Sequence, residues 1–130
     1  MCPVIRGAIR AADGSWVRAP FLADTAADRT VFSVDSLRAL GLPPVQDTDH
    51  LEGLGGRADS IVLATQIQMT RETGEPVLFK GRFAAVTDPV ALDMSVLGRD
   101  ITNLFALIVD RPQDVVCLLG QGHRYLIVPS

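Results

Sequence analysis

Asp24 interrupts an apolar part of the sequence, and its position narrows the folds that this chain can adopt. The run 16–23 precedes it and the run 29–33 follows it, and each has the length of a buried strand. Residues 25–27 are small, so other backbone can approach the carboxylate closely. An acid between two packed strands is constrained and partly removed from water, which suits acid–base chemistry. The pattern predicts that Asp24 is a catalytic carboxylate.

An ordinary turn is the alternative interpretation of the same residues. An Asp-Thr pair that closes a strand more often bonds nearby backbone amides than performs catalysis. The segment 21–30 alone therefore leaves both interpretations open.

Composition predicts one all-β domain over residues 1–130, with one or two short helices. Apolar residues make up 48% of the chain and aromatic residues 5%, with eleven glycines and eight prolines, as in a β-rich domain with many turns. The net charge is −3 and the twelve basic residues are dispersed along the sequence, which argues against a nucleic-acid partner.

No metal, cofactor or membrane partner is expected from the sequence. His50 and His123 have no ligand-type neighbours at metal-binding spacing, and Cys2 and Cys117 match no metal or redox motif. We expect Cys117 to be a small core residue. The N-terminus does not resemble a signal peptide and no apolar segment spans a bilayer, which predicts a soluble cytoplasmic protein or a fragment of a longer one.

Turn and cap residues predict most of the elements. Asp13-Gly14 predicts a hairpin between Val4–Arg10 and Ser15–Ala23, and Ser33 and Gly41 delimit a helix over Val34–Leu40. Further predictions are long strands at 60–69 and 76–86, a buried strand ending at Gly98, a short helix capped by Asp100 or Thr102, and apolar strands at 104–109, 115–119 and 124–128.

Glycines cluster between the helix and the long strands. The segment 45–51 is polar and acidic, and Gly53, Leu54, Gly55 and Gly56 then form a stretch that can bend sharply. A plain hairpin turn explains this stretch by itself. A phosphate-binding loop is disfavoured because no Lys-Ser/Thr follows.

Three segments together carry a resemblance: Leu22-Ala23-Asp24-Thr25-Ala26-Ala27-Asp28, Gly53-Leu54-Gly55-Gly56 and Val96-Leu97-Gly98-Arg99-Asp100. In this order they resemble the retropepsin-like aspartic proteases, over about residues 15–105. The resemblance implies a half-barrel acid-protease fold.

The resemblance also implies roles for individual residues. Asp24 would be the catalytic aspartate in an active-site loop with Thr25, Ala26 and Ala27, and Thr25 would bond across to the dimer mate. Asp28 and Arg99 would brace this loop as an ion pair, since a guanidinium meets a carboxylate in a bidentate fork. Gly53 to Gly56 would form the tip of a flap over bound peptide.

Aspartic proteolysis needs two carboxyl groups that share one proton, and this chain has one such segment. The resemblance therefore implies a symmetric homodimer that hydrolyses an extended peptide at mildly acidic pH. The family usually has glycine where this chain has Ala26, and the added methyl can crowd the substrate. A catalytically weak or inactive dimer that binds peptides or supports assembly is the alternative, and a monomeric β-domain without this chemistry is a third.

Overall fold

The computed structural model describes residues 3–51, 58–113, 115–119 and 128–129; for residues 46–51, 58 and 59 it describes the backbone alone. The predicted flap at Gly53–Gly56 and most of the predicted strand at 124–128 lie outside this part of the chain. The nine strands are β1 Val4–Arg10, β2 Trp16–Ala23, β3 Val31–Phe32, β4 Gln46–Leu51, β5 Ala58–Thr70, β6 Pro76–Val86, β7 Ser95–Leu97, β8 Ala106–Asp110 and β9 Val115–Leu119, and the two helices are α1 Val34–Leu40 and α2 Arg99–Thr102.

Seven strands form the main sheet, in the order β1-β2-β7-β3-β6-β5-β4. Because β1 also pairs with β5, the sheet rolls into a barrel-like shape with β4 at its edge. β8 and β9 form a separate hairpin. The predicted all-β class with two short helices is confirmed.

Aromatic and branched side chains fill the inside of the barrel. Phe32 contacts both Phe21 and Phe83, with ring centroids 6.2 and 5.7 Å apart. Ile9, Leu63, Ile67 and Leu97 are fully buried around them. Each such side chain contributes about 1.5–3 kcal/mol by leaving water. The core thus fixes the strands that lead to and from Asp24.

Local signals placed the first hairpin and α1 correctly. β1 pairs antiparallel with β2 from Val4↔Leu22 to Arg10↔Trp16. The Ser33 side chain accepts a hydrogen bond from the Ser36 N–H, and Gly41 adopts a left-handed conformation with φ of 62°. A serine cap of this kind stabilises a helix by about 1 kcal/mol.

Two expectations differ from the structure, and one strand had not been predicted. The unpredicted strand is β4, which forms in the polar and acidic segment because an edge strand is held by backbone pairing with β5 and does not need a continuous apolar face. α2 begins at Arg99 with Gly98 as its N-cap, so neither Asp100 nor Thr102 caps it. Cys117 is half-buried in β9 and does not belong to the core, because the β8–β9 hairpin lies outside the main sheet.

None of the helices in the described residues is long and apolar enough to cross a membrane.

Candidate active site

The Asp24 loop, residues 24–30, joins two strands that are not neighbours in the sheet. β7 lies between them, parallel to β2 and antiparallel to β3. The loop therefore has to pass over the end of β7. Ala23 is aligned with Leu97, so the chain leaves β2 and β7 at the same edge of the sheet. This topology brings residues 97–100 against a loop that is about seventy residues away in sequence.

Backbone hydrogen bonds fasten the start and the middle of the Asp24 loop to β7 and α2. The Asp24 N–H donates to the Leu97 carbonyl at 3.1 Å, and the Arg99 N–H donates to the Ala27 carbonyl at 2.8 Å. The Ala27 N–H also donates to the Asp24 carbonyl at 3.2 Å, which closes a tight turn. The position of Asp24 is thus fixed by main-chain contacts that do not depend on its side chain.

The Asp24 carboxylate is half-buried, and its Oδ1 accepts a hydrogen bond from the Ala26 N–H at 2.9 Å. This bond is the feature expected of an ordinary Asp turn, and it is also compatible with a catalytic role because it engages one oxygen and fixes the rotamer. Any residue except proline supplies the same N–H at position 26. The replacement of glycine by alanine therefore leaves this donor in place, and its effect is confined to the added methyl.

Gly98 stands where the loop comes closest to β7. It is buried, and a Cβ atom added there would overlap the backbone carbonyl and Cα of Arg29. Its N–H donates to the Thr30 hydroxyl oxygen at 3.1 Å. The sequence predicted Gly98 as the end of a strand and as part of the Val96–Asp100 motif, and the structure adds that the close passage of the loop leaves no space for a side chain.

Thr30 and Asp100 form a clamp beneath the loop. The Thr30 N–H donates to Asp100 Oδ2 at 3.0 Å, and its hydroxyl donates to Oδ1 at 2.7 Å. Since the same hydroxyl also accepts the Gly98 N–H, both the N–H and the hydroxyl of the fully buried Thr30 are engaged. Sequence reasoning missed this clamp, because it treated Thr30 as part of an apolar run and Asp100 as a helix cap. One sequence feature could have indicated the clamp: Asp100 directly follows Arg99, which was already expected to contact this loop.

Asp28 and Arg99 make the ion pair that the resemblance implied. Their side chains are 78% and 48% exposed, so water screens the pair and its contribution to folding is small. It adds a side-chain contact beside the Arg99–Ala27 backbone bond. The function of this pair at a dimer interface stays a prediction.

Thr25 and Ala26 lie at the tip of the loop and are exposed. Small exposed residues beside a half-buried carboxylate leave room for another chain or a ligand. Within the described residues, no three His, Cys, Asp or Glu side chains come together as metal ligands.

The large groove of the described structure lies elsewhere. It has a volume of about 1110 Å³ and is bordered by the β8–β9 hairpin and by the ends of β1, β5 and β6. Its described lining includes Phe79, Phe105 and Leu118 but not Asp24. This groove is therefore separate from the Asp24 loop.

A solved structure shows the same architecture. The EIAV protease complexed with the inhibitor HBY-793 is 21% identical, with a TM-score of 0.55 over 79% of this chain and 86% of that chain. The chain has the retropepsin-like fold. A retropepsin-like aspartic protease from Rickettsia conorii is 19% identical, with a TM-score of 0.46 over 85% of this chain and 89% of that one. No family model and no curated protein matches the sequence, so the likeness is one of fold.

Proposed function

We propose that this chain is an aspartic endopeptidase that works as a symmetric homodimer. The observation that carries the proposal is the fixed position of the half-buried Asp24, on a loop held by Leu97, Gly98 and Asp100 within a retropepsin-like fold. A carboxylate held in this way meets the positional demand of acid–base catalysis.

The proposed homodimer follows from the number of carboxylates that the reaction needs. One carboxylate polarises the attacking water while a protonated partner donates to the scissile carbonyl oxygen. A two-fold axis beside Asp24 supplies the second group from an identical loop. The exposed Thr25 and Ala26 at the loop tip are consistent with contact between the two copies.

The proposed substrate is an extended peptide that binds as a strand along the two loops. Gly53 to Gly56 are proposed as a flap that covers it, and Arg29 as a residue that favours acidic peptide side chains. Ala26 decides how much room the peptide has next to the carboxylates. A dimer in which this methyl blocks the water or the peptide would bind without cleaving, which is the second candidate function.

The Asp24→Asn variant is the direct test of cleavage. The asparagine side-chain oxygen still accepts the Ala26 N–H, so the loop and any dimer are expected to persist while the acid is lost. Wild type and variant are incubated with a complex peptide mixture from mildly acidic to neutral pH, and new termini are identified by mass spectrometry. Asp93→Asn, at an exposed site outside the loop, is the matched control.

Cuts made by wild type and Asp93→Asn but absent with Asp24→Asn support an aspartic protease. Cleavage that survives in Asp24→Asn overturns the assignment. Peptide binding without cleavage by any of the three proteins supports the binding module, and Ala26→Gly then tests whether the methyl is responsible.

Mixing experiments test whether the second carboxylate comes from a partner. If wild type and Asp24→Asn exchange freely at equal concentrations, about a quarter of the dimers contain two aspartates. Activity is then expected to fall to about a quarter of that of the same total amount of wild type. A fall to one half would show that each chain acts alone, and sedimentation velocity reports the oligomeric state in parallel.

A further inference from the structure

Five basic side chains share the outer face of four adjacent strands, β2, β1, β5 and β6. We call this surface the basic face, and its cations are Arg6, Arg10, Arg18, Lys80 and Arg82. All five are exposed. Alternate positions on these strands carry buried residues such as Ile9, Phe21 and Phe83, so the five cations lie on the side of the sheet opposite the core.

Strand register turns residues that are dispersed in sequence into neighbours. Arg18 lies opposite Ala8 on β1, which lies opposite Gln68 on β5. Lys80 and Arg82 on β6 lie opposite Gln66 and Ala64 of β5. With strands about 4.8 Å apart and about 3.3 Å per residue, the cations cover about 14 Å across the strands and about 20 Å along them before side-chain reach is added.

Among the residues whose side chains are described, the strands of this face carry no carboxylate. β1, β2 and β6 contain no Asp or Glu, and Glu72 and Asp110 meet the face only at its border, in the groove that Arg6 also lines. Other carboxylates nearby in sequence occupy the connecting turns, where Asp13 is bonded to Ser15 and Glu75 pairs with Arg71. None of the five cations forms an ion pair within the described residues. A chain with a net charge of −3 thus concentrates five of its twelve basic residues on one surface.

Apolar side chains accompany the cations. Val4 and Leu78 are on the same side of their strands and are 51% and 54% exposed. Trp16 lies at the other end of the β1–β2 hairpin from Val4, half-buried, with the Arg10 guanidinium 5.6 Å from its ring centroid. Exposed aliphatic groups and a tryptophan among cations are the chemistry of proteins that rest in a lipid headgroup region.

We propose that the basic face binds peripherally to an anionic lipid bilayer. Clusters of four to eight Lys or Arg residues are typical of surfaces that bind anionic lipids. The expectation that the chain has no membrane partner rested on the lack of a spanning segment, which does not bear on a surface contact.

The spread of the cations favours a bilayer over single-stranded nucleic acid. A strand of nucleic acid needs a basic groove along its backbone and aromatic platforms for its bases. The basic face extends over four strands in two dimensions, and among the described residues it offers a single aromatic ring, Trp16, where a strand of nucleic acid would need a series of them. Aliphatic Val4 and Leu78 gain little from stacking but can enter the headgroup region.

Vesicle sedimentation of the full chain tests this proposal. Wild type is expected to bind vesicles of phosphatidylcholine with about 30% phosphatidylglycerol at low salt, and to bind pure phosphatidylcholine far less. Lys80→Gln/Arg82→Gln is expected to weaken binding to the anionic vesicles by about fivefold for each cation removed, hence about 25-fold for the pair. High salt should weaken the binding of wild type as well.

Arg38→Gln is the matched control for the single variant Lys80→Gln. Each removes one positive charge from an exposed residue, and Arg38 lies on α1, outside the basic face. Arg38→Gln should stay within about twofold of wild type if position, rather than net charge, governs binding, whereas Lys80→Gln should bind about fivefold more weakly. Equal losses in the two single variants, or equal binding of wild type to both kinds of vesicle, would overturn the proposal.

A single-stranded oligothymidylate of about thirty nucleotides is the competing probe. Tight binding to this probe without binding to anionic vesicles would assign the face to nucleic acid and would overturn the lipid proposal. The membrane proposal does not rest on catalysis, and Asp24→Asn should bind vesicles as wild type does. Failure of cleavage and failure of lipid binding are thus separate results.

Discussion

Two turns of this molecule each take part in an arginine–carboxylate ion pair, and they are built in opposite ways. The β5–β6 turn, residues 71–75, closes on itself: the Arg71 N–H bonds the Glu75 carbonyl, the Gly74 N–H bonds the Arg71 carbonyl, and the two side chains pair at 3.4 Å. The Asp24 loop is held instead by Leu97, Gly98 and Asp100, which lie about seventy residues further along the chain. A turn that only reverses the chain needs nothing beyond its own residues. A loop that holds a carboxylate in one place requires partners from several elements.

The largest expected effect comes from Gly98→Ala in the Asp24 loop. The new Cβ would overlap the Arg29 backbone, so the loop or β7 has to move, and we expect a loss of about 3 kcal/mol or more in the free energy of unfolding. Urea unfolding measures this free energy.

Gly74→Ala tests the local turn, where φ is 94° but no atom lies within 4 Å of the new Cβ, and it should lower the free energy of unfolding by about 1–2 kcal/mol. Gly81→Ala meets only an ordinary contact at 3.6 Å and is the control. Similar losses at Gly98 and Gly81 would show that the close passage of the loop is not a constraint.

Thr30→Val is expected to have the next largest effect. Valine keeps the shape of threonine but leaves the buried Gly98 N–H without its acceptor and removes a donor from Asp100, at a cost of about 2–3 kcal/mol. Thr65→Val removes a hydroxyl that bonds the Arg10 carbonyl near the surface, so it should cost about 1 kcal/mol. Chemical denaturation of the two variants compares them directly. If Thr30→Val proved the milder change, the clamp would not be what fixes the loop.

Removal of either ion pair should have a smaller effect on stability, but the two pairs should differ in their effect on self-association. Asp28→Asn and Glu75→Gln each remove one partner of an exposed pair, and each should change the free energy of unfolding by less than about 1 kcal/mol. Under the proposed homodimer, only Asp28→Asn should weaken self-association, because Glu75 lies in the local turn. Sedimentation equilibrium at several concentrations measures this. If both variants changed self-association equally, the Asp28–Arg99 pair would have no specific function at the dimer interface.

The smallest expected effect concerns Asp13, in the local turn between β1 and β2. Hydrogen bonds from the Ser15 side chain and backbone lower the pKa of Asp13 below its usual value of 3.8. Because the folded-state pKa is the lower one, the resulting stability is present above pH 3.8 and is lost as the pH falls through the folded-state pKa. Ser15→Ala should move the pKa of Asp13 back toward 3.8, as NMR titration of its carboxyl group can show. An unchanged titration would mean that Ser15 does not favour the ionised form.

The sequence by itself determined the elements that depend on neighbouring residues. Asp13-Gly14 specified the first hairpin, and Ser33 and Gly41 specified α1, because caps and turns act over a few residues. It also singled out Asp24 as a carboxylate between two strands. These parts of the fold and of the site are local in origin and could be predicted.

Only the tertiary structure decided what surrounds Asp24. The insertion of β7 between β2 and β3 explains why Gly98 has no space for a side chain and why Thr30 meets Asp100, neither of which has a local sequence signature. Strand register likewise gathered dispersed cations into the basic face. Contacts between distant segments depend on sheet order and register, and these are set by packing of the whole core rather than by any short stretch of residues.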